Sequence, residues 1–225
     1  MKHRILFITS AILVAASLLF VSCEKDSPAQ SNVLVVHASP NAPGVDLLVD
    51  NSKKNSSALA FPNNTGYLKV ASGTRNIKVN VSGTATTVIE ADLSLTKDAS
   101  YTVFAVDSVS KISAVVLTDN LTAPAAGKAH VRFVHLSPNA PSVDVAVASS
   151  GAVVFGNKAF KESTDFTPLD AGTYNLDVRV AGTSTVALVL PAITLESGKI
   201  YTIFAKGFLG GTGAQALGAE IIVNK

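Results

Sequence analysis

His37-Ala38-Ser39-Pro40-Asn41-Ala42-Pro43-Gly44-Val45-Asp46 returns later in the chain as His135-Leu136-Ser137-Pro138-Asn139-Ala140-Pro141-Ser142-Val143-Asp144. Each copy follows a short apolar run and precedes another, so each reads as strand, proline-braced turn, strand. The duplication sets the organisation of the chain. Its residues are those of turn chemistry: Pro40 and Pro43, like Pro138 and Pro141, fix φ, while Ser39 and Asn41 have side chains that bond turn amides. Asp46 is expected to accept amide bonds from the same turn, and Asp144 likewise.

Working outward, Val70-Ala71-Ser72-Gly73-Thr74 aligns with Leu169-Asp170-Ala171-Gly172-Thr173, and Tyr101-Thr102-Val103-Phe104-Ala105 aligns with Tyr201-Thr202-Ile203-Phe204-Ala205. A period of about 100 residues is too long for a solenoid, so these are two complete units in tandem. Val, Thr, Ile and Ala dominate, apolar-rich runs alternate with Gly, Pro, Asn and Ser, and no long 3.6-residue period occurs. Strands are expected near 33–38, 45–50, 67–70, 75–81, 86–95, 101–106 and 113–118. The second unit follows at 130–136, 143–148, 166–169, 174–180, 186–195, 200–206 and 217–223. Strand spacing of this kind suggests an all-β fold, a sandwich or a barrel, in each of two tandem domains behind an N-terminal signal helix.

Comparing the copies exposes the strand faces. Ile77, Val79 and Val81 match Leu176, Val178 and Val180 as a core set, whereas Lys78 and Asn80 match Asp177 and Arg179 as a water-facing set. Before the motif, Val33, Val35 and His37 share one face with counterparts Val131, Phe133 and His135; on the other face Leu34 corresponds to Arg132. Past the motif, Val45, Leu47 and Val49 match Val143, Val145 and Val147 as the inward set, which gives Asp46 and Asp144 the opposite parity. The histidines therefore sit on core-facing parity at strand ends, where a neutral imidazole can bond a backbone carbonyl.

The chain opens with Lys2, His3 and Arg4, then an apolar run from Ile5 to Val21, then Ser22-Cys23. That is the shape of a signal peptide. Phe20-Val21-Ser22-Cys23 resembles the lipobox of bacterial lipoproteins, with Phe20 where Leu is usual, and implies lipidation at Cys23 after removal of residues 1–22. The thiolate is the side chain suited to carry the lipid thioether. The expected localisation is the bacterial cell envelope, lipid-anchored, at the outer membrane, with 23–32 as a polar tether. The first repeat then spans 33–120, a linker rich in Pro, Gly and small residues spans 121–129, and the second repeat spans 130–225. Each repeat carries its own core pattern, so 30–124 and 125–225 are expected to fold separately. Gly207 to Gly218 reads as a loose, glycine-rich hairpin loop without the ending of a phosphate loop.

The chain has 18 basic and 16 acidic residues among 225. Losing Lys2 and Arg4 with the leader leaves 16 of each, which removes any electrostatic case for nucleic acid. Cys23 is the one cysteine, so no disulfide staples the repeats.

The duplicated H-x-S-P-N-A-P-x-V-D pattern, the downstream S-G-T or A-G-T turn and the Y-T-[VI]-F-A strand resemble the bacterial domain-of-unknown-function family 4397. The resemblance covers nearly all of residues 33–225. It implies an immunoglobulin-like or related β-sandwich and supplies no activity and no functional residues.

Candidate chemistry is therefore weighed on the residues. His37, Ser39 and Asp46, and again His135, Ser137 and Asp144, contain the types of an acyl-transfer triad, but each serine precedes a proline and neither occupies a strand-to-helix elbow. The histidines, with His130, are poorly spaced as metal ligands. No catalytic, cofactor or metal site is expected. For glycans the chain offers no Trp and only Tyr67, Tyr101, Tyr174 and Tyr201, of which Tyr101 and Tyr201 resemble a tyrosine corner. The expectation is a non-catalytic binding, adhesion or structural module anchored to the membrane, with its protein or glycan partner open. Glycan binding is one alternative and an envelope hydrolase using the His/Asp positions is another.

Overall fold

The computed structural model describes residues 28–225. Cys23, the leader and the first half of the tether lie outside the described residues. Strands β1 (Gln30–His37), β2 (Val45–Val49), β3 (Ser52–Lys53), β4 (Asn64–Ala71), β5 (Gly73–Val81), β6 (Thr87–Leu95), β7 (Ser100–Val106) and β8 (Ser113–Asp119) form the first repeat. The second comprises β9 (Lys128–His135), β10 (Val143–Val147), β11 (Val153–Lys158), β12 (Thr167–Asp170), β13 (Gly172–Tyr174), β14 (Leu176–Val180), β15 (Val186–Val189), β16 (Ile193–Leu195), β17 (Ile200–Lys206) and β18 (Gly218–Val223). Every expected strand is present, with two additions, β3 and β11. The expected strand over 186–195 is split into β15 and β16, because Leu190-Pro191-Ala192 interrupts it and a proline has no amide for the ladder. That over 174–180 is divided at Asn175. β1 starts inside the expected tether, with Ser31 fully buried and its hydroxyl donating to Thr96 O at 2.6 Å.

Each repeat is a sandwich of two sheets, β4-β1-β7-β8 against β3-β2-β5-β6, and β12-β9-β17-β18 against β11-β10-β14-β15, with a small β13-β16 sheet beside the latter. β1 runs parallel to β7 and β9 parallel to β17, the other pairings being antiparallel. The motif carries the chain from one sheet to the other. Within the first sandwich Val33, Val35, Tyr101 and Val103 meet Val45, Leu47, Ile77 and Val79. Within the second, Val131, Phe133, Tyr201 and Ile203 meet Val143, Val145, Leu176 and Val178. These are the inward sets read from the repeat alignment.

The opposite faces correct the sequence reading. Leu34, Val36, Ala38, Phe104 and Val106 pack against Val134, Leu136, Phe204 and Ile222 in a third core shared by both repeats. The sheet β4-β1-β7-β8 therefore lies on β12-β9-β17-β18, and the molecule has four sheet layers. Leu34 and its counterpart Arg132 are 1% and 2% exposed, so neither lies on a water-facing surface. The outer-face reading of Asp177 also needs revision, since it is 7% exposed and paired with Arg179 at 3.1 Å. Burying a Phe is worth about 1.5–3 kcal/mol, so Phe104 and Phe204 weigh more than a surface ion pair of about 0–1 kcal/mol. Separated halves would expose these rings, a cost that the expectation of independent folding did not include.

Arg132 enters this apolar seam because its charge is met. Its Nη1 donates to Asp119 Oδ1 at 2.8 Å, its Nη2 to Thr202 Oγ1 at 3.0 Å and Thr102 Oγ1 at 3.3 Å, and its Cζ lies 4.4 Å from the Phe166 ring centroid. Asp119 Oδ2 accepts from Tyr67 at 2.6 Å and Thr102 at 2.7 Å. Asn224 Nδ2 donates to Tyr67 Oη at 3.0 Å across the seam. Burial, and then the neighbouring Asp119 carboxylate, push the Tyr67 hydroxyl far above its ordinary range, so it stays a donor at any working pH.

The connection after β17 is tight. Gly207 has φ 78° and its backbone packs against Ala216 O, leaving no room for a Cβ; Phe208 N donates to Gln215 O at 2.8 Å. The segment expected to be loose is thus a closed loop.

Because Asp119 is buried, Arg132→Leu leaves a carboxylate without its cation and is expected to cost about 3–5 kcal/mol in urea unfolding of the full chain. Adding Asp119→Asn should recover part of that loss; a single-variant cost below about 1 kcal/mol would show that the pair is screened like a surface bridge.

Candidate functional site

The two motif turns are built alike. His37 and His135 end β1 and β9 and are completely buried. His37 Nε2 lies 2.9 Å from Pro43 O and His135 Nε2 lies 3.0 Å from Pro141 O. A carbonyl only accepts, so in both rings Nε2–H donates and Nδ1 is left as acceptor. His135 Nδ1 takes the Ser137 amide at 3.3 Å. Phe61 stands edge-on to the His37 ring, centroids 6.3 Å apart. Burial holds both imidazoles below their ordinary pKa, against the opposing pull of the Pro43 and Pro141 carbonyls, which keeps the rings neutral.

Ser39 and Asn41 do not bond their own turn. Ser39 Oγ donates to Asp107 O at 2.6 Å, and Asn41 Oδ1 accepts from Val109 N at 2.9 Å. Asn139 pairs both ways with Leu209, Nδ2 to O at 3.0 Å and N to Oδ1 at 2.8 Å. The motif asparagine therefore ties the turn to the loop that follows the neighbouring parallel strand. Among the described residues, His37 Nδ1 and Ser137 Oγ are buried without a hydrogen-bond partner. Pro40 is buried, Pro138 half-buried, and Pro43 and Pro141 are exposed.

Asp46 also departs from its expected partners. It accepts from Lys53 Nζ at 2.8 Å, Ser82 Oγ at 3.0 Å and Gly83 N at 3.0 Å, binding the β5–β6 hairpin turn and not its own. Lys53 first, then the Gly83 amide, push its carboxyl down to about 2. Asp144 accepts from Gly182 N at 2.8 Å and Asn157 N at 2.6 Å, the equivalent hairpin plus β11. Gly83 and Gly182 have φ 74° and 72°, the left-handed turn that brings their amides to the carboxylate.

Ser39, His37 and Asp46 thus have separate partners, Ser137 Oγ has none, and in neither motif does a hydroxyl-to-imidazole bond join a nucleophile to a base. His130 lies on β9, half-buried. Among the described residues no three His, Cys, Asp or Glu side chains are grouped to hold a metal ion. Tyr101 Oη accepts from Thr96 N and Tyr201 Oη from Glu196 N, both at 3.1 Å, a local tyrosine corner in each repeat. Tyr174 Oη donates to Asp170 O at 2.9 Å.

Two features escaped sequence reasoning. Asn55 substitutes for a strand partner beside β2, accepting from Leu47 N at 2.7 Å and donating to Val45 O at 3.0 Å and Ser57 O at 2.7 Å. The loop it organises borders an open cavity of about 380 Å³ lined by Lys54, Ser56, Ser57, Asn63, Asn64 and Thr65, with Leu59 and Leu68 beneath. Nothing in a polar loop separated from β4 by several residues marks such a convergence in advance.

No curated protein matches the sequence. Nine chains of solved structures match, among them CBMbc, a family CBM26 module from Eubacterium rectale Amy13K crystallised with maltoheptaose. That match has 12% identity and a TM-score of 0.27, covering 85% of this chain and 95% of the other, too loose a superposition to transfer fold detail or ligand. The profile of the domain of unknown function DUF4397 matches residues 31–146 and 145–223. With two tandem matches that together span nearly all of the described residues, the chain belongs to the DUF4397 family.

Proposed function

We propose that this protein is a non-catalytic binding or structural module of the bacterial cell envelope, tethered at the outer membrane by a lipid on Cys23, with the repeated motif serving as a structural latch. One observation carries the latch: both motif histidines are completely buried and bonded to backbone carbonyls of their own turns, where no substrate reaches them. Support for the anchor is the leader and lipobox-like Phe20-Val21-Ser22-Cys23. An envelope hydrolase using these positions would have to break the histidine bonds before it acted.

A glycan is the second reading, favoured by the cavity beside Asn55. Its rim of hydroxyl and amide groups over two leucines suits a neutral polar ligand, although it has no aromatic platform. Titration of soluble residues 28–225 with a glycan panel tests it. Binding lost in Asn63→Ala and Ser57→Ala supports the cavity as the site; binding indifferent to both places the glycan elsewhere, and no binding removes this reading.

Mass spectrometry of the mature N-terminus tests the anchor. Wild-type protein is expected to start at a lipidated Cys23 and Cys23→Ala to keep its leader, whereas an unmodified Cys23 in an uncleaved native chain would sink the proposal.

The latch predicts a pH dependence. In the unfolded chain a histidine titrates near 6.5, and the folded values are lower, so the unfolded state binds more protons just below that pH. This contribution to stability is complete above about 6.5 and is lost as pH falls toward the folded values. Urea midpoints should therefore drop between about pH 6.5 and 5, above the carboxylate range. His37→Gln with His135→Gln should flatten that drop while costing about 1–3 kcal/mol at neutral pH. Unchanged stability accompanied by lost ligand binding would instead make the motif a functional site.

A further inference from the structure

Equivalent positions on the two facing inner sheets fall into two groups. Phe104 and Phe204, Val36 and Val134, Thr102 and Thr202, and Leu117 and Ile222 are alike, and the two Phe rings touch each other, centroids 5.7 Å apart, as positions beside a two-fold axis do. The second group differs in charge or polarity. Leu34 corresponds to Arg132, Tyr67 to Phe166, Asp119 to Asn224, Pro62 to Lys161 and Asp107 to Gly207.

Among the described residues, both ion pairs between the repeats draw the acid from the first and the base from the second: Arg132 to Asp119 at 2.8 Å, and Lys161 to Asp107 at 3.5 Å. The Lys206 ammonium of the second repeat lies 5.2 Å from the Phe61 ring of the first. The Asn224 to Tyr67 bond completes a set of contacts that only unlike faces can make.

We propose that these differences are a pairing code: the inner face of the first repeat docks the inner face of a second repeat, from its own chain or another copy, and rejects its own kind. Two first-repeat faces would bury Asp119 twice with no cation. Two second-repeat faces would bury Arg132 twice with no anion, and each unpaired buried charge is costly. Thr102, Thr202 and the apolar residues supply adhesion without choosing a partner.

The full chain tests this. A protease site placed within 122–126 is cut after folding, the nicked chain is unfolded in guanidinium and diluted, and native mass spectrometry reads the composition of the pairs that form. Pairs of unlike fragments are expected in about tenfold excess over like pairs. In the nicked double variant Asp119→Asn, Arg132→Leu, which makes the centre of the seam nearly symmetric, like pairs should rise toward the statistical proportion. Like pairs at statistical proportion in wild type, unpaired fragments only, or a double variant as exclusive as wild type would each overturn the code. The wild-type measurement decides even if the double variant fails to refold.

Discussion

The central strands of two sheets in this molecule, β1 and β7 in one and β9 and β17 in the other, are buried on both faces, and the rest of the structure follows from that constraint. A sheet covered on one side alternates apolar and polar residues; covered on both, it needs continuous apolar runs and an internal partner for every polar atom. Val33-Leu34-Val35-Val36 and Tyr101-Thr102-Val103-Phe104-Ala105-Val106 answer that need in the first repeat. The threonines among them are buried and bonded, Thr102 to Asp119 and Thr202 to Asn224, each at 2.7 Å. Arg132 is the severe case. A guanidinium in that seam is tolerated because Asp119, both threonines and the Phe166 face surround it. Such a pair adds little net stability over apolar residues of the same volume, so its value lies in what it excludes.

The motif meets a different need. Where β1 leaves the inner sheet to become β2 in the outer one, ladder hydrogen bonds stop while the chain is still buried. His37 fills that gap from its Nε2 to Pro43 O, Asn41 joins the turn to Val109, and Asp46 joins β2 to the Gly83 hairpin. Three polar side chains in ten residues thus bind three separate pieces of the sandwich. Local hydrogen-bonding groups at fixed offsets make the same corner in both repeats, despite Ala38 and Gly44 being replaced by Leu136 and Ser142.

Strand positions, the inward sets and the parity separating His37 from Asp46 were legible because the two copies could be compared residue by residue. What covers the other face was not. Alternation tells two faces apart but does not say whether water or protein lies beyond, and on the face carrying Leu34 and its counterpart Arg132 it is protein. The unbroken apolar runs of β1 and β7 were the available signal, since a half-exposed strand would have alternated. The motif's partners were hidden for a related reason: Asp107, Val109 and Gly83 are distant in sequence, and only the parallel pairing of β1 with β7 and the β2–β5 ladder bring them near.

Agreement and disagreement between the copies therefore carry separate information. Positions answering to a demand inside one repeat keep their chemistry: the histidine against its carbonyl, the aspartate on its hairpin glycine, the tyrosine on the amide five residues before it. Positions answering to the other repeat are free to diverge so long as their opposite number diverges in complement. Asp119 and Arg132 do so, as do Asp107 and Lys161. A seam that had stayed symmetric would let each repeat pair with its own kind as readily as with the other; acids on one face and bases on the other give the seam a direction, so that a first repeat takes a second repeat and not another first.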